Sequence, residues 1–364
     1  MARVLVTGGA GYVGSVCSQQ LLQSGHEVVV IDDLSTGHPE AVSVKAAFYR
    51  VDYGDREAVR RVLHQHPIDA VFHFAAKALI PESVSNPGFF FDVNVASGIA
   101  FLEVLREVGV KRFVLSSSAA VYGNPSSVPI REDDRKEPVN SYGETKLMLE
   151  RVLRWYASAY GWVVAAFRYF NASGATPEAG ENHRPETHVI PLLLEVAAGE
   201  RSHFEIYGDD YATPDGTCIR DYVHVSDIAG AHLAALNMCD THEMKAYNIG
   251  TGTAYSVKEV IGAVEEVTGT RIPVRVAPRR AGDPAILCAS PEKLKSELGW
   301  TPTGSDLTAI VRSAWAWKTS TPIPTDPATR DFLPPAFSGE YQSPTARPFC
   351  RDDCAPGQEP SRHS

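Results

Sequence analysis

Over the first 170 residues, short runs of aliphatic and β-branched residues alternate with longer stretches in which apolar positions recur every three or four residues. Arg3 to Thr7, Glu27 to Ile31, Ala47 to Val51, Ala70 to Phe74, Arg112 to Leu115 and Val163 to Arg168 read as strands. Ser15 to Ser24, Arg56 to His64, Phe91 to Val108 and Tyr142 to Tyr160 read as helices between them. Repeated strand-helix units predict an α/β fold, a Rossmann-type doubly wound parallel sheet with helices on both faces. Such sheets bind ligands at the carboxyl ends of their strands, near the switch in strand order. Asp52, Ala75, Ser118 and Asn171 each follow a predicted strand, so four separated loops are expected to converge on one crevice.

After Asn171 the pattern shifts to Gly/Pro-rich loops and shorter elements. Val257 to Thr268 reads as a helix, Arg271 to Ala277 as a strand, Pro291 to Leu298 as a helix and Leu307 to Lys318 as the last folded element. From Thr319 to Ser364 the chain is rich in Pro, Thr, Ser and Asp without apolar periodicity, and reads as disordered or loosely draped.

Composition narrows the picture. A length of 364 residues exceeds the ~100–200 of one typical domain, so one large domain or two closely joined ones are expected. A hydrophobic fraction of 44% with 21% charged residues describes a soluble globular chain. The net charge of −10 argues against binding nucleic acid or anionic membranes, because no basic surplus exists to release phosphate counterions. An anionic ligand must therefore meet a local group of Arg or Lys. The chain enters a strand-like run at Arg3 and holds no run of about 18 apolar residues, so a cytoplasmic location is expected. Cys17, Cys218, Cys239, Cys288, Cys350 and Cys354 form no framework and read as reduced thiols. Cys350 and Cys354 lack two further nearby ligands, and no metal site is expected.

Two stretches carry candidate chemistry. The first strand stops at Gly8-Gly9-Ala10-Gly11-Tyr12-Val13-Gly14, where Gly8, Gly11 and Gly14 give a variant of the dinucleotide-binding spacing. There the first glycine allows a tight turn, the next lets backbone approach a pyrophosphate, and Gly14 permits close packing of the helix whose N-terminus faces the phosphate. The second strand ends at Asp32-Asp33, where a carboxylate suits an adenosine ribose and repels a 2′-phosphate; this favours NAD over NADP. The alternative is a turn cap before Ser35-Thr36-Gly37. The second stretch is Ser116-Ser117-Ser118 followed by Tyr142-Gly143-Glu144-Thr145-Lys146. On a helix Tyr142 and Lys146 share a face. A phenol titrates near ~10, so a Tyr that accepts a proton near neutrality needs a fixed positive charge beside it; Lys146 is the candidate, and Ser118 the candidate partner for the same substrate hydroxyl. The alternative is an amphipathic helix that happens to carry both. Asn94, inside a predicted helix, either braces the catalytic loop or lies on the solvent face.

Thr7-Gly8-Gly9-Ala10-Gly11-Tyr12-Val13-Gly14, Ser116-Ser117-Ser118-Ala119-Ala120-Val121-Tyr122-Gly123, Tyr142 with Lys146, Arg168-Tyr169-Phe170-Asn171 and Arg220-Asp221-Tyr222-Val223-His224-Val225 together resemble the extended short-chain dehydrogenase/reductases, and within them the NAD-dependent epimerases of UDP-hexoses, over residues 2 to 318. The resemblance implies an NAD-binding domain over residues 1–170, to which 222–250 return, and a smaller α/β substrate domain over most of 171–318. It implies a UDP-sugar substrate, interconversion of UDP-glucose and UDP-galactose by oxidation and re-reduction at sugar carbon-4, and a homodimer through Phe91 to Val108 and Tyr142 to Tyr160. Tyr142, Lys146 and Ser118 then carry catalysis. Gly8, Gly11, Tyr12, Val13, Gly14, Asp32, Asp33, Asp52, Tyr53, Phe74, Ala75, Ala76, Asn94, Ser116, Tyr142, Lys146 and Tyr169 hold the cofactor. Ser118, Tyr142, Asn171, His188, Val189, Tyr207, Arg220, Arg280, Asp283 and Leu287 meet the substrate, with Arg279 a further cation for the diphosphate.

Two positions depart from the resemblance. Lys77 falls one place early in Ala75-Ala76-Lys77-Ala78, and Leu287 stands where relatives carry Tyr or Cys, which leaves room for N-acetylated sugars. Dehydration is disfavoured because Ser118-Ala119-Ala120 supplies neither acid nor base. A related 4-epimerase acting on UDP-N-acetylglucosamine, UDP-glucuronate or UDP-xylose, and a non-catalytic NAD-sensing regulator, remain alternatives.

Overall fold

The structure, a computed structural model, describes residues 1–238, 242–280 and 283–320. Segment 321–364 with Cys350 and Cys354, the Ala281-Gly282 pair and Cys239 lie outside the described residues. The strands are β1 (Arg3–Thr7), β2 (Glu27–Asp32), β3 (Ala47–Arg50), β4 (Ala70–His73), β5 (Arg112–Ser118), β6 (Val163–Tyr169), β7 (Asn171–Ser173), β8 (Phe204–Tyr207), β9 (Ile219–His224), β10 (Met244–Ile249), β11 (Ala254–Ser256), β12 (Val274–Ala277) and β13 (Ile286–Leu287).

Seven of them form one parallel sheet in the order β10-β6-β5-β4-β1-β2-β3. The order reverses between β1 and β4, so their carboxyl ends border the ligand crevice. The strands are nearly continuous apolar runs because helices cover both faces. On one face, the helices Tyr12–Gln23 and Val225–Ala235 pack around Val16, Leu21, Phe167 and Ile228. On the other, Phe101, Leu105, Leu149 and Leu153 of the helices Ser97–Glu107 and Ser141–Tyr160 cover Leu5, Val71 and Leu115. The helical run Pro87–Glu107 is apolar enough by composition to cross a membrane, yet its Phe90, Asn94 and Phe101 are buried in this protein core.

The smaller sheet joins β9 to β7, β11 and β13, and β8 pairs with β12 beside it. A core of Ile190, Leu194, Phe204, Val260, Val264 and Ile310 lies beneath it. Tyr222 is part of β9 in this smaller sheet, which corrects the expected return at residue 222. The chain rejoins the large sheet with the helix Val225–Ala235 and with β10, which pairs with β6.

Two further differences bear on the site. β5 runs past Leu115 to Ser118, because Ser116, Ser117 and Ser118 pair with Phe167, Arg168 and Tyr169 of β6. Polar residues at the carboxyl end of a central strand carry no apolar signal, yet neighbouring strands hold them extended. The expected Phe91–Val108 helix opens with a π-helical turn over Phe91–Ala96, a distortion associated with functional positions.

Candidate active site

Backbone geometry shapes the glycine loop. Gly8 has φ +70°, and a Cβ there would lie 2.6 Å from Ala75 N, so the turn tolerates no side chain. A Cβ on Gly14 would come within 2.2 Å of Gly8 O. Gly11 caps the helix Tyr12–Gln23 without a side-chain hydrogen bond, leaving its first N–H groups to face an anion. Val13 is half-buried in that first turn. Tyr12 points away from the loop's open side: its hydroxyl donates to Gly174 O at 2.6 Å.

Asp32 is 7% exposed and accepts from Ala10 N at 3.0 Å and Leu34 N at 2.8 Å, so it orders the loop. Burial raises its carboxyl above the ordinary range, partly offset by those two N–H groups. Asp33 is exposed and accepts from Ser35 N, the turn cap that the sequence left open. Asp52 is exposed and accepts from Gly54 N, while Tyr53 is buried with its hydroxyl on Val93 O. Phe74 N and Ala75 N donate to Thr7 O, which holds the half-buried Phe74, Ala75 and Ala76 against the glycine loop. Asn94 is buried by the π turn: its side chain bonds Lys77 N at 2.8 Å, Lys77 O at 3.0 Å and Thr145 Oγ1 at 3.0 Å. It therefore braces the loop after β4 against the catalytic helix. Lys77 Nζ reaches Ser35 Oγ at 2.8 Å.

Asn140 caps the helix Ser141–Tyr160 by accepting from Gly143 N at 2.8 Å, which sets Tyr142 and Lys146 on the first turns facing β5. Lys146 is 3% exposed, donates to Ser116 O at 2.8 Å and lies 5.8 Å from the centre of the Tyr142 ring. Tyr142 is hydrogen-bonded to Ser118, whose Oγ also accepts from Ala120 N at 3.1 Å. Burial raises the Tyr142 phenol, and the Ser118 hydrogen bond lowers it. Of these two influences on the phenol burial is the larger. Lys146 is pulled down to about 8 by burial, with Glu150 opposing the fall. It stays mostly charged at pH 7.

Behind this pair lies a buried polar network. Glu150, one turn beyond Lys146, accepts from Ser117 Oγ at 2.6 Å and from Arg168 at 2.7 and 3.0 Å. The Glu150 and Arg168 side chains are each 2% exposed. Arg168 also donates to Tyr122 Oη at 2.7 Å and Glu132 O at 3.0 Å, and Tyr122 donates to Asn248 Oδ1 at 2.7 Å. Nothing marked Glu150 in the sequence as a candidate, although its place four residues after Lys146 and the alternation of Ser117 with Ser116 and Ser118 were available signals.

Across the crevice, Asn171 Nδ2 donates to Asp221 O at 3.0 Å, and Tyr169, 9% exposed, shares a 2.8 Å hydrogen bond with His232. Arg220 pairs with Asp283 at 3.2 Å. The Arg280 guanidinium stacks 3.9 Å from the Tyr207 ring centre, leaving its N–H groups toward solvent or ligand. Arg279 is paired with Asp210 at 2.6 Å and stacked on Tyr211, so it is the less available cation. Leu287 is half-buried against the cluster of Ala119, Val121, Tyr122, Ile130 and Leu147. Val189 begins the helix Val189–Ala197, and His188 precedes it with Nδ1 turned to Glu181 and Glu186.

A dinucleotide loop, the Ser118-Tyr142-Lys146 set and the cations Arg220 and Arg280 make up the candidate site, and comparison with known proteins decides its family. Residues 4–250 match the NAD dependent epimerase/dehydratase family. The chain belongs to that family. It is 47% identical over 322 residues to a UDP-glucose 4-epimerase of Lacticaseibacillus casei, covering 88% of this chain and 97% of that one. It is similar to a UDP-glucose 4-epimerase from Brucella ovis solved in complex with NAD, at 43% identity and TM-score 0.84 over 87% of this chain and 98% of that one. A third, from Stenotrophomonas maltophila with bound NAD and formylated UDP-arabinopyranose, is 39% identical at TM-score 0.84, covering 88% and 98%.

The NAD-dependent epimerase/dehydratase cofactor fits the residues present. The cradle admits no Cβ at Gly8 and Gly14 and only a tight one, 3.3 Å from Gly8 O, at Gly11; free N–H groups stand at the helix N-terminus, and the Asp32 carboxylate lies at the end of β2. These would hold the pyrophosphate and the adenosine ribose.

Proposed function

We propose that the protein interconverts UDP-glucose and UDP-galactose by transient oxidation at carbon-4. The observation that carries this reading is the half-buried Tyr142–Ser118 pair with the buried Lys146 beside it at the end of the central strand β5, in a chain whose relatives at this similarity are UDP-glucose 4-epimerases. NAD, held by Gly8, Gly11, Gly14 and Asp32, would supply the hydride acceptor when bound. Tyr142 takes the proton from the sugar 4-hydroxyl, and Ser118 hydrogen-bonds the same oxygen. Lys146 holds the local potential positive while anchored on Ser116 O. Arg220 and Arg280 grip the diphosphate, Asp283 and Asn171 orient the nucleotide end, and Tyr207 supports Arg280. Firm anchoring there would leave the sugar end free to turn and present its other face. The same Tyr142 returns the proton.

The related UDP-sugars differ only in pocket size and charge, and Leu287 bears on one of them. Its half-buried aliphatic side chain leaves space that a Tyr ring would fill, which supports acceptance of an N-acetyl group as well. In this reading the protein works as a homodimer in the cytoplasm. Met148, Val152 and Trp155 lie along one flank of the helix Ser141–Tyr160, with Trp155 73% exposed, and Ile99 is 38% exposed on the neighbouring helix. Trp155→Glu is expected to give monomers by light scattering; an unchanged dimer places the interface elsewhere.

Incubation with UDP-galactose and chromatography of the product tests the activity. Conversion to UDP-glucose is expected, with Tyr142→Phe losing roughly 10²–10⁴-fold or more in kcat while retaining NAD. Conversion of no UDP-hexose by wild-type protein with NAD bound would favour the sensing role instead.

A further inference from the structure

A cluster lies on the segment that leads into the helix Val189–Ala197. Glu181, His183, Glu186 and His188 bring one ligand atom each to within 4.8 Å of one another. Glu181 Oε1 is 3.0 Å from His183 Nδ1 and 2.6 Å from His188 Nδ1, and Glu186 Oε1 is 2.8 Å from His188 Nδ1. The two carboxylate side chains are only 7% and 8% exposed, and the imidazoles are partly open at 35% and 50%. Glu186 Oε1 also accepts from the N–H groups of Thr187 and His188, at 2.6 and 2.8 Å. Among the described residues no Lys or Arg pairs with either carboxylate. Two buried negative charges thus face only two imidazoles, an arrangement that needs two positive charges from outside the side chains or two bound protons.

We propose that this cluster is a structural zinc site with a His2Glu2 ligand set. Imidazole and carboxylate are borderline-to-hard donors that suit Zn²⁺, and four protein ligands close a tetrahedral shell without an open catalytic position. A tetrahedral ion with bonds of about 2.0–2.2 Å separates its ligand atoms by about 3.3–3.6 Å. The three short contacts of 2.6, 2.8 and 3.0 Å need to open by about 0.3–1.0 Å, and the wider pairs, within 4.8 Å, to close, with the partly open imidazoles able to move. One dication with two neutral imidazoles makes the site neutral. The spacing Glu181-x-His183-x-x-Glu186-x-His188 delivers all four ligands from one loop.

The site's place in the fold gives the metal its role. The loop is tied to the cofactor side by Tyr12 Oη donating to Gly174 O and by a 2.8 Å hydrogen bond between His38 and Asn182 O. His38 N in turn donates to Ala10 O in the glycine loop. Gly180 packs against the Trp317 ring so closely that a Cβ would come within 2.4 Å. Zinc fastens the free end of this loop, next to the start of the Val189–Ala197 helix, and so fixes the wall between cofactor and substrate lobes without touching the reacting atoms. This role does not depend on which sugar nucleotide is the substrate.

The test uses untagged full-length protein with NAD bound, grown with zinc and passed through gel filtration. Elemental analysis is expected to find about one zinc per chain. Chelation should lower Tm by several degrees, added ZnCl2 should restore it, and CoCl2 added to the metal-free protein should give the intense visible bands of tetrahedral cobalt. His183→Ala and Glu181→Gln should each weaken zinc retention about 10-fold or more. If either variant fails to fold, the zinc-dependent Tm and the cobalt spectrum of wild-type protein decide alone. Wild-type protein with under about a tenth of an equivalent of zinc and a Tm indifferent to ZnCl2 would overturn the proposal and leave a proton-balanced ion cluster. Equal zinc in wild-type and His183→Ala proteins would place the metal at another site and overturn it as well.

Discussion

Replacing Lys146 by Met tests whether the catalytic ammonium is held in an unfavourable place for the sake of chemistry. Burial takes Lys146 from an ordinary 10.5 to about 8, net of the help from Glu150. That displacement corresponds to about 3 kcal/mol of penalty on the charged form. The side chain is 3% exposed, so solvent does not screen the effect away. Below pH 8 both folded and unfolded chains hold the proton, and the native protein bears the whole penalty. Between about pH 8 and 10.5 the folded chain binds fewer protons than the unfolded one, so wild-type stability rises with pH as the penalty is relieved. Lys146→Met removes the penalty at every pH but leaves the Ser116 carbonyl without its donor, a loss of about 1 kcal/mol. The variant is therefore expected to be about 1–2 kcal/mol more stable than wild type at pH 7, with that advantage shrinking and reversing as pH approaches 10.5. Activity should fall about 10²–10³-fold, the scale of removing a preorganised charge. Urea unfolding of the two proteins, prepared alike at pH 7, 8.5 and 10, reads the difference. A variant several kcal/mol less stable at pH 7, or a stability difference independent of pH, would refute the view that the site stores this charge at a penalty.

Two further outcomes follow from the crevice. Gly14→Ala places a methyl group within 2.2 Å of Gly8 O, so overpacking of about 1–3 kcal/mol should weaken NAD roughly 10- to 100-fold, measured as cofactor lost on gel filtration while the fold persists by circular dichroism. Leu287→Tyr should reduce kcat/KM for UDP-N-acetylglucosamine by about 10- to 200-fold and leave UDP-glucose nearly unchanged; equal losses on both would show that Leu287 does not border the 2-substituent.

The strand-helix alternation, the glycine cradle and the Tyr142–Lys146 spacing were all legible in the chain, because each depends on residues within one or two turns of one another. Periodicity sets which faces are buried, and a glycine spacing sets where backbone comes close. The partners of those residues were not legible. The extension of β5 through Ser118, the bond from Asn94 to Lys77 and Thr145, and the clasp of Glu150 on Arg168 join segments 17 to 51 residues apart. The entry of Tyr222 into the smaller sheet had the same origin, since a strand's neighbours are chosen by the packing of both lobes. Even the sense of the phenol's displacement depended on burial, a property that no local pattern encodes. The amino-acid order alone settled the kind of fold and the type of chemistry; only folding in three dimensions determined which charges are screened, which are paired and which two glutamates face which two histidines.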